Sequence, residues 1–197
     1  TKAIGESLAG ASAHYLDAPL GRTPSHALEG KLNIMCSGAK DAYDRVETVL
    51  GDLGENVFHL GELGTGHTIK LINNFFAQTV ANGMAEAFAM ADKTGVDRQK
   101  VYDVMAAGPL HSGMMDFVKA YAIDGDPNML AFSVKNARKD IGYYAAMAEN
   151  LGIESLMITG ARQALGMAIA EGRGETMVPE QVDFFSNLFG GSGKGGG

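Results

Sequence analysis

Residues 66–94 form one helix-like run, and no other stretch of the chain constrains the fold as much. The run has no proline, is dense in alanine and carries Ile, Phe and Met on several faces, the pattern of a helix buried nearly all round. Ala77, Ala81, Gly83, Ala85, Ala87 and Ala89 would let neighbouring helices approach closely. Gly95 reads as its C-terminal stop, and Asp97 as the N-cap of a helix reaching about Ala107, where Gly108 and Pro109 break the chain. Further helices are predicted near 112–122, from a Ser133 cap to Leu151 with Gly152 as the stop, over 155–171, and from Pro179 as a first helical residue. From Gly64 onward no convincing strand remains.

Residues 1–63 alternate instead. A helix-like segment at 2–13 leads to a strand at 15–20, a Gly-, Pro- and Ser-bearing loop at 21–31, and a strand at 32–38. Helical spacing follows at 41–53, ended by Gly54, and a short strand is expected at 56–60. Helices alternating with strands imply an α/β sheet. The predicted class is therefore α/β then all-α. Residues 1–63 would be the C-terminal portion of a Rossmann-type domain, 64–189 a multi-helix domain built on one long buried helix, and 190–197 a flexible Gly-rich tail. A small sheet with open edges is unusual in a free-standing domain, so a further segment is expected before residue 1.

The net charge of −7, without a block of like charges, disfavours nucleic acid and anionic membranes as partners. No apolar run approaches the roughly 18 residues of a membrane span, and no charged-then-apolar leader opens the chain. The single cysteine, Cys36, sits in an apolar strand, excludes an intramolecular disulfide and reads as core filler in a reducing compartment. The expectation is a soluble, cytoplasmic chain. None of the five histidines has HxxxH spacing or a carboxylate cluster beside it, so no metal site is expected.

The chemistry concentrates in GTGHTIKLINN, residues 64–74, where a glycine-rich turn enters the long helix. Lys70, Asn73 and Asn74 stand at i, i+3 and i+4 and share one face. An ammonium beside two carboxamides can polarise a carbonyl and orient a small acid. Desolvation in an apolar cleft would lower the lysine pKa toward the working range. The alternative is a lysine whose stem lies on the helix and whose head reaches water. Paired asparagines favour caps and turns, yet these lie inside an apolar helix, which points to substrate contact. His67, three residues before Lys70, could line the same face. The competing account is a non-catalytic helical dimerisation module, but such a helix has no use for a Lys-Asn-Asn face.

GTGHTIKLINN resembles the catalytic-lysine segment of the β-hydroxyacid dehydrogenase family, which includes 3-hydroxyisobutyrate dehydrogenase. DAPLGRTPSHALEGKLNIMCSG, at 17–38, is similar to that family's substrate-binding segment. KNARKDIGYYAAMAENLGI, at 135–153, is similar to its late helix, in which a Lys-Asp pair reaches the cofactor side. The three segments stand in family order and span nearly the whole chain.

The resemblance implies a Rossmann domain followed by a helical domain with the active site in the cleft between them, NAD or NADP as cofactor, and a small 3-hydroxy acid or its semialdehyde as the anionic substrate. It implies Lys70 as general acid in carbonyl reduction or general base in alcohol oxidation. Asn74, with Asn73, would bind the substrate. Gly64 and Gly66 would bring backbone close to cofactor or substrate, their alternative being a plain strand-to-helix turn. Lys139 would contact the cofactor, its alternative being a solvated helix surface. Homo-oligomers through the helical domain are implied as well.

Two features depart from the family pattern. No G-x-G-x-x-G opens a helix, and GTGHTI has only the first two glycines and follows the last strand of the sheet. The chain is therefore expected to begin more than halfway through the cofactor domain, to lack the residue that chooses NAD or NADP, and to be inactive alone. Where many members carry Ser-Gly-Gly after the DAP strand, this chain has Gly21, Arg22 and Thr23. A guanidinium fork suits a carboxylate, phosphate or sulfonate. The variant is similar to that of the family's sulfolactaldehyde reductases; the alternative is a solvated loop arginine.

Overall fold

A computed structural model describes residues 1–11 and 13–190. All of the expected tail except Gly190 lies outside the described residues. The chain divides into two units, Thr1–Asn73 and Asn74–Gly197.

The first unit opens with helix α1 (Lys2–Leu8), shorter than the predicted 2–13 segment; Gly10, a weak helix former, follows its last turn. Strand β1 (Leu20–Gly21) is only two residues long, extended by an isolated bridge from Asp17 to Ser37. Pro19 interrupts this edge because it has no N–H, although its carbonyl still accepts from Met35 N–H at 3.0 Å. The predicted loop at 21–31 contains a short helix, α2 (Pro24–Leu28), whose proline is preset for a first turn.

Strand β2 (Leu32–Cys36) is followed by α3 (Lys40–Asp44) and α4 (Glu47–Leu53). These two replace the single helix predicted at 41–53. At the break, Val46 N–H bonds to Tyr43 three residues back, and Val46 turns out of the helix at φ −117°. Strand β3 (Gly54–His59) starts earlier than predicted because Gly54 is extended and serves as its first residue. A side chain there would press on the Leu32 carbonyl at 2.9 Å.

The sheet order is β1-β2-β3, with β1 antiparallel to β2 and β2 parallel to β3. Ile34 pairs with Val57 and Cys36 with His59. Ile34, Met35 and Cys36 are buried along with Ala42 and Tyr43 of α3. Burial pushes the Cys36 thiol pKa up, and the nearby Asp17 charge adds to this, so it is an inert core group.

Helix α5 (Thr65–Thr94) begins in the first unit, and the division falls within it. The second unit continues with α6 (Arg98–Ala106), α7 (Gly113–Ala122), α8 (Val134–Asn150), α9 (Leu156–Ala170) and α10 (Gln181–Leu188). Its ends follow local chemistry. Gly95 adopts φ +74°, and Val96 N–H reaches back to the Ala91 carbonyl at 2.9 Å, closing α5. The Asp97 carboxylate accepts from Gln99 N–H, and the hydroxyls of Ser112 and Ser133 cap α7 and α8. Pro179 lies in a 3₁₀ turn, Val178–Glu180, just before α10 and not inside it.

Ala81, Ala85 and Ala89 of α5 pack inward beside Phe88, against Val118, Ile141, Leu165, Val182 and Phe184. Small residues at four-residue spacing let the other helices close on this face. The expectation of all-round burial is corrected on the opposite stripe: Ile72 is 48%, Phe76 66% and Met90 50% exposed. Among the described residues no neighbouring element covers that stripe.

Candidate functional site

The first unit holds a cavity of about 270 Å³ lined by Gly21 and Arg22 from β1 and its exit, Asn33 and Met35 from β2, Phe58 and Leu60 from β3 and its exit, and Ile69 and Asn73 from α5. Two segments far apart in sequence, the Gly-Arg-Thr loop and the Lys-Asn-Asn helix, thus contribute to one concave surface. The floor is apolar, and the polar groups are a guanidinium and two carboxamides. A space of this size takes a small acid and is too small for a dinucleotide.

Arg22 is held in an unusual backbone state, φ +72°, the only non-glycine residue with positive φ among the described residues. Its Nη1 donates to the Lys31 carbonyl at 2.8 Å and to the Glu55 carboxylate. One arm of the fork is therefore fixed by the protein, which aims the guanidinium without using all five of its N–H donors. Thr23 is buried, but its hydroxyl sits 2.7 Å from both Ser25 Oγ and His26 Nδ1, in the first turn of α2, and does not line the cavity.

On α5, Ile69 and Asn73 form the row that faces the cavity. Lys70 and Asn74 form the adjacent row, and Lys70 is half-buried. In the second unit, Asn74 Nδ2 donates to Asp140 Oδ2 at 2.9 Å, while Phe75 stacks on Tyr144 with centroids 4.4 Å apart. Lys139 is exposed, with its ammonium 3.2 Å from Asp140 Oδ1 and 6.0 Å from the Tyr143 ring centroid. Asp140 thus orients both Asn74 and Lys139. Sequence reasoning noted the Lys-Asp pair but assigned the aspartate no role.

The residue most clearly missed is Asp17. It is 2% exposed, and its carboxylate gathers the first turn of α5. Gly64 N–H donates to Oδ1 at 2.7 Å, His67 N–H to Oδ2 at 2.8 Å and the Ser37 hydroxyl to Oδ1 at 2.5 Å. His67 Nδ1 lies 3.0 Å from Oδ2. Burial alone would raise the Asp17 pKa; the Ser37 hydroxyl, the two amides and the His67 charge outweigh it and hold the carboxyl below its ordinary value. The available signal was a carboxylate at the end of an apolar strand, which must find donors if buried.

The same geometry tests whether this turn suits a dinucleotide. Gly66 N–H goes to Ser37 Oγ at 2.9 Å, so the Gly64, Gly66 and His67 amides, which a pyrophosphate would need, are all taken within the chain. A side chain at Gly66 would run into the Met35 carbonyl oxygen. What these glycines approach is the chain's own strand and carboxylate, and the turn does not fit a phosphate. Among the described residues no group of three or more His, Cys, Asp or Glu could hold a metal, and no helix is long and apolar enough to cross a membrane.

A three-stranded sheet thus precedes a helical unit whose first element is one long helix. Residues 64–182 match a family model described as NAD-binding of NADP-dependent 3-hydroxyisobutyrate dehydrogenase, and residues 1–61 one described as the NAD binding domain of 6-phosphogluconate dehydrogenase. The chain belongs to the β-hydroxyacid dehydrogenase family, whose cofactor is NAD or NADP.

It is 28% identical over 174 residues to an L-threonate dehydrogenase of Haemophilus influenzae, covering 88% of this chain and 58% of that protein. To glyoxylate/succinic semialdehyde reductase 1 of Arabidopsis thaliana it is 25% identical, covering 92% and 63%. The crystal structure of 3-hydroxyisobutyrate dehydrogenase from Salmonella typhimurium superposes with a TM-score of 0.80 at 26% identity, covering 92% of this chain and 64% of that one. The chain therefore spans less than two thirds of each of these proteins.

Proposed function

We propose that this chain is the substrate-side part of an NAD(P)-dependent oxidoreductase that moves a hydride between the cofactor and a small 3-hydroxy acid or its semialdehyde. The observation that carries the reading is the cavity shared by Arg22 and Asn73, one helical row from Lys70. The cofactor, when bound, supplies or accepts the hydride. The residues of this chain handle the acid and the proton. The Arg22 fork pairs with the anionic end of the substrate, the Asn73 carboxamide orients its oxygen functions, and the apolar floor excludes water. In the reducing direction the Lys70 ammonium gives a proton to the carbonyl oxygen as it becomes a hydroxyl; in the oxidising direction the neutral amine takes it back. With no glycine cradle for the pyrophosphate, the 197-residue chain would not turn over by itself.

Turnover by the natural polypeptide containing this chain, and by its Lys70→Ala variant, tests the reading. The substrates are methylmalonate semialdehyde, tartronate semialdehyde, sulfolactaldehyde, glyoxylate, succinic semialdehyde and L-threonate, with each nicotinamide cofactor. The expected loss of kcat on the preferred substrate is about 10²- to 10⁴-fold. Unchanged turnover would refute the role of Lys70. Inactivity of both proteins on every substrate would favour the second reading, a non-catalytic helical dimerisation module, which the exposed Ile72 and Phe76 stripe supports.

A further inference from the structure

The helical unit carries a second concave surface, built from α8 and α9 alone. It is an open groove of about 760 Å³ that presents Arg138 of α8 with Thr159, Arg162 and Gln163 of α9, beside the apolar side chains of Met167 and Ala170. The α9 members recur at three- and four-residue spacing, so they form one continuous face of that helix. Among the described residues no carboxylate lines the groove.

This is notable in a chain with 23 acidic and 16 basic residues, where basic side chains have many carboxylates to choose from. Lys135, Lys139 and Arg173, elsewhere in the same unit, all pair with one. Among the described residues neither the Arg138 nor the Arg162 guanidinium makes a hydrogen bond or an ion pair. Glu149 and Glu154 border Arg162 in a neighbouring cavity, and neither pairs with it.

Arg138 is also set in place. Its Nη1 stands 3.6 Å from where a Cβ on Gly142 would be, and its Nε 3.7 Å from where a Cβ on Gly166 would be. Two glycines, one on each helix, give the guanidinium a flat bed across the α8–α9 seam. Both arginines are half-buried. A partly desolvated guanidinium without an acceptor is an unfavourable arrangement, and an incoming oxyanion relieves it through paired N–H···O bonds.

We propose that the α8–α9 groove binds a small polyanion, a polycarboxylate or a phosphate, gripped by Arg138 and Arg162 and steadied by Thr159 and Gln163. The carbon skeleton of a polycarboxylate would rest on Met167 and Ala170. The overall negative charge works against anions in general, so occupancy depends on these two arginines locally.

The test is calorimetric titration of the 197-residue chain with citrate and, separately, inorganic phosphate at low ionic strength. Saturable binding of at least one probe is expected, and which one binds separates carboxylate from phosphate recognition. Arg138→Gln and Arg162→Gln should each weaken it by about tenfold or more, with helix content unchanged by circular dichroism. Arg138→Lys, which keeps the charge but loses the fork, should fall between. Lys135→Gln, outside the groove, should bind as the parent does. No saturable binding of either probe, or equal affinity in the parent and the arginine variants, would overturn the proposal. So would a result in which the arginine variants change only the oligomeric state, which would make the groove a protein contact. Because the readout is binding and not turnover, its failure is separate from any failure of the Lys70 reading.

Discussion

Asp17→Asn replaces a buried carboxylate by its near-isosteric amide and so isolates the charge that gathers the first turn of α5. In the parent, Asp17 receives the Gly64 and His67 amides and the Ser37 hydroxyl, and lies against His67 Nδ1. Asparagine keeps one carbonyl oxygen and turns an NH₂ group toward donors on the other side, so about two charge-assisted bonds are lost. At about 1.5–2 kcal/mol each, the loss is about 3–4 kcal/mol, which is roughly a 10²- to 10³-fold fall in amide protection at Gly64, Gly66 and His67. Hydrogen exchange read at these amides is the suitable assay, because it reports local opening without requiring both units to unfold together.

The pH dependence supplies a second arm. The Asp17 pKa is lowered in the folded chain, so its stabilisation is complete above the unfolded carboxylate value of about 3.9 and disappears as pH falls through the lower folded value. After correction for intrinsic exchange, the parent should lose the extra protection only in that acid range. The variant should start low and show no such step. Protection within about threefold of the parent, or an acid step persisting in the variant, would refute the argument that this carboxylate secures the helix.

Two further perturbations test the site and the exposed stripe. Arg22→Ala in the natural polypeptide should raise KM for an anionic-tailed substrate about tenfold or more, with kcat changed much less, because the guanidinium serves binding and not proton transfer; an unchanged KM would remove Arg22 from the site. Phe76 is 66% exposed beside Ile72 at 48%, an apolar stripe that a second copy of α5 would cover in a self-complementary pairing. Phe76→Glu should shift the chain toward monomer in sedimentation, and an unchanged mass would place any self-association elsewhere.

The second unit was legible because its helix ends are written in local chemistry. Gly95, Asp97, Ser133 and Gly152 mark their positions through φ above zero or a side-chain acceptor, and neither depends on distant residues. The first unit was harder to read because its elements are short and decided by the sheet. Val46 carries acceptable helical spacing, yet the chain breaks there; Gly54 has the composition of a helix stop and becomes the first residue of a strand because the Leu32 and Ile34 surface leaves no room for a side chain.

The site divides along the same line. Spacing along one helix put Lys70, Asn73 and Asn74 on a common face, but only the fold brings Arg22 to the cavity that Asn73 lines. Asp17 is the instructive omission. The turn at 64–67 reads in sequence as glycines that bring backbone close to cofactor or substrate, and in the fold its Gly64 and His67 amides donate to a carboxylate from the strand end that precedes the Gly-Arg-Thr loop. One carboxylate thus ties the loop bearing Arg22 to the helix bearing Lys70. The two segments that carry the proposed chemistry are fastened to each other through Asp17 independently of any ligand.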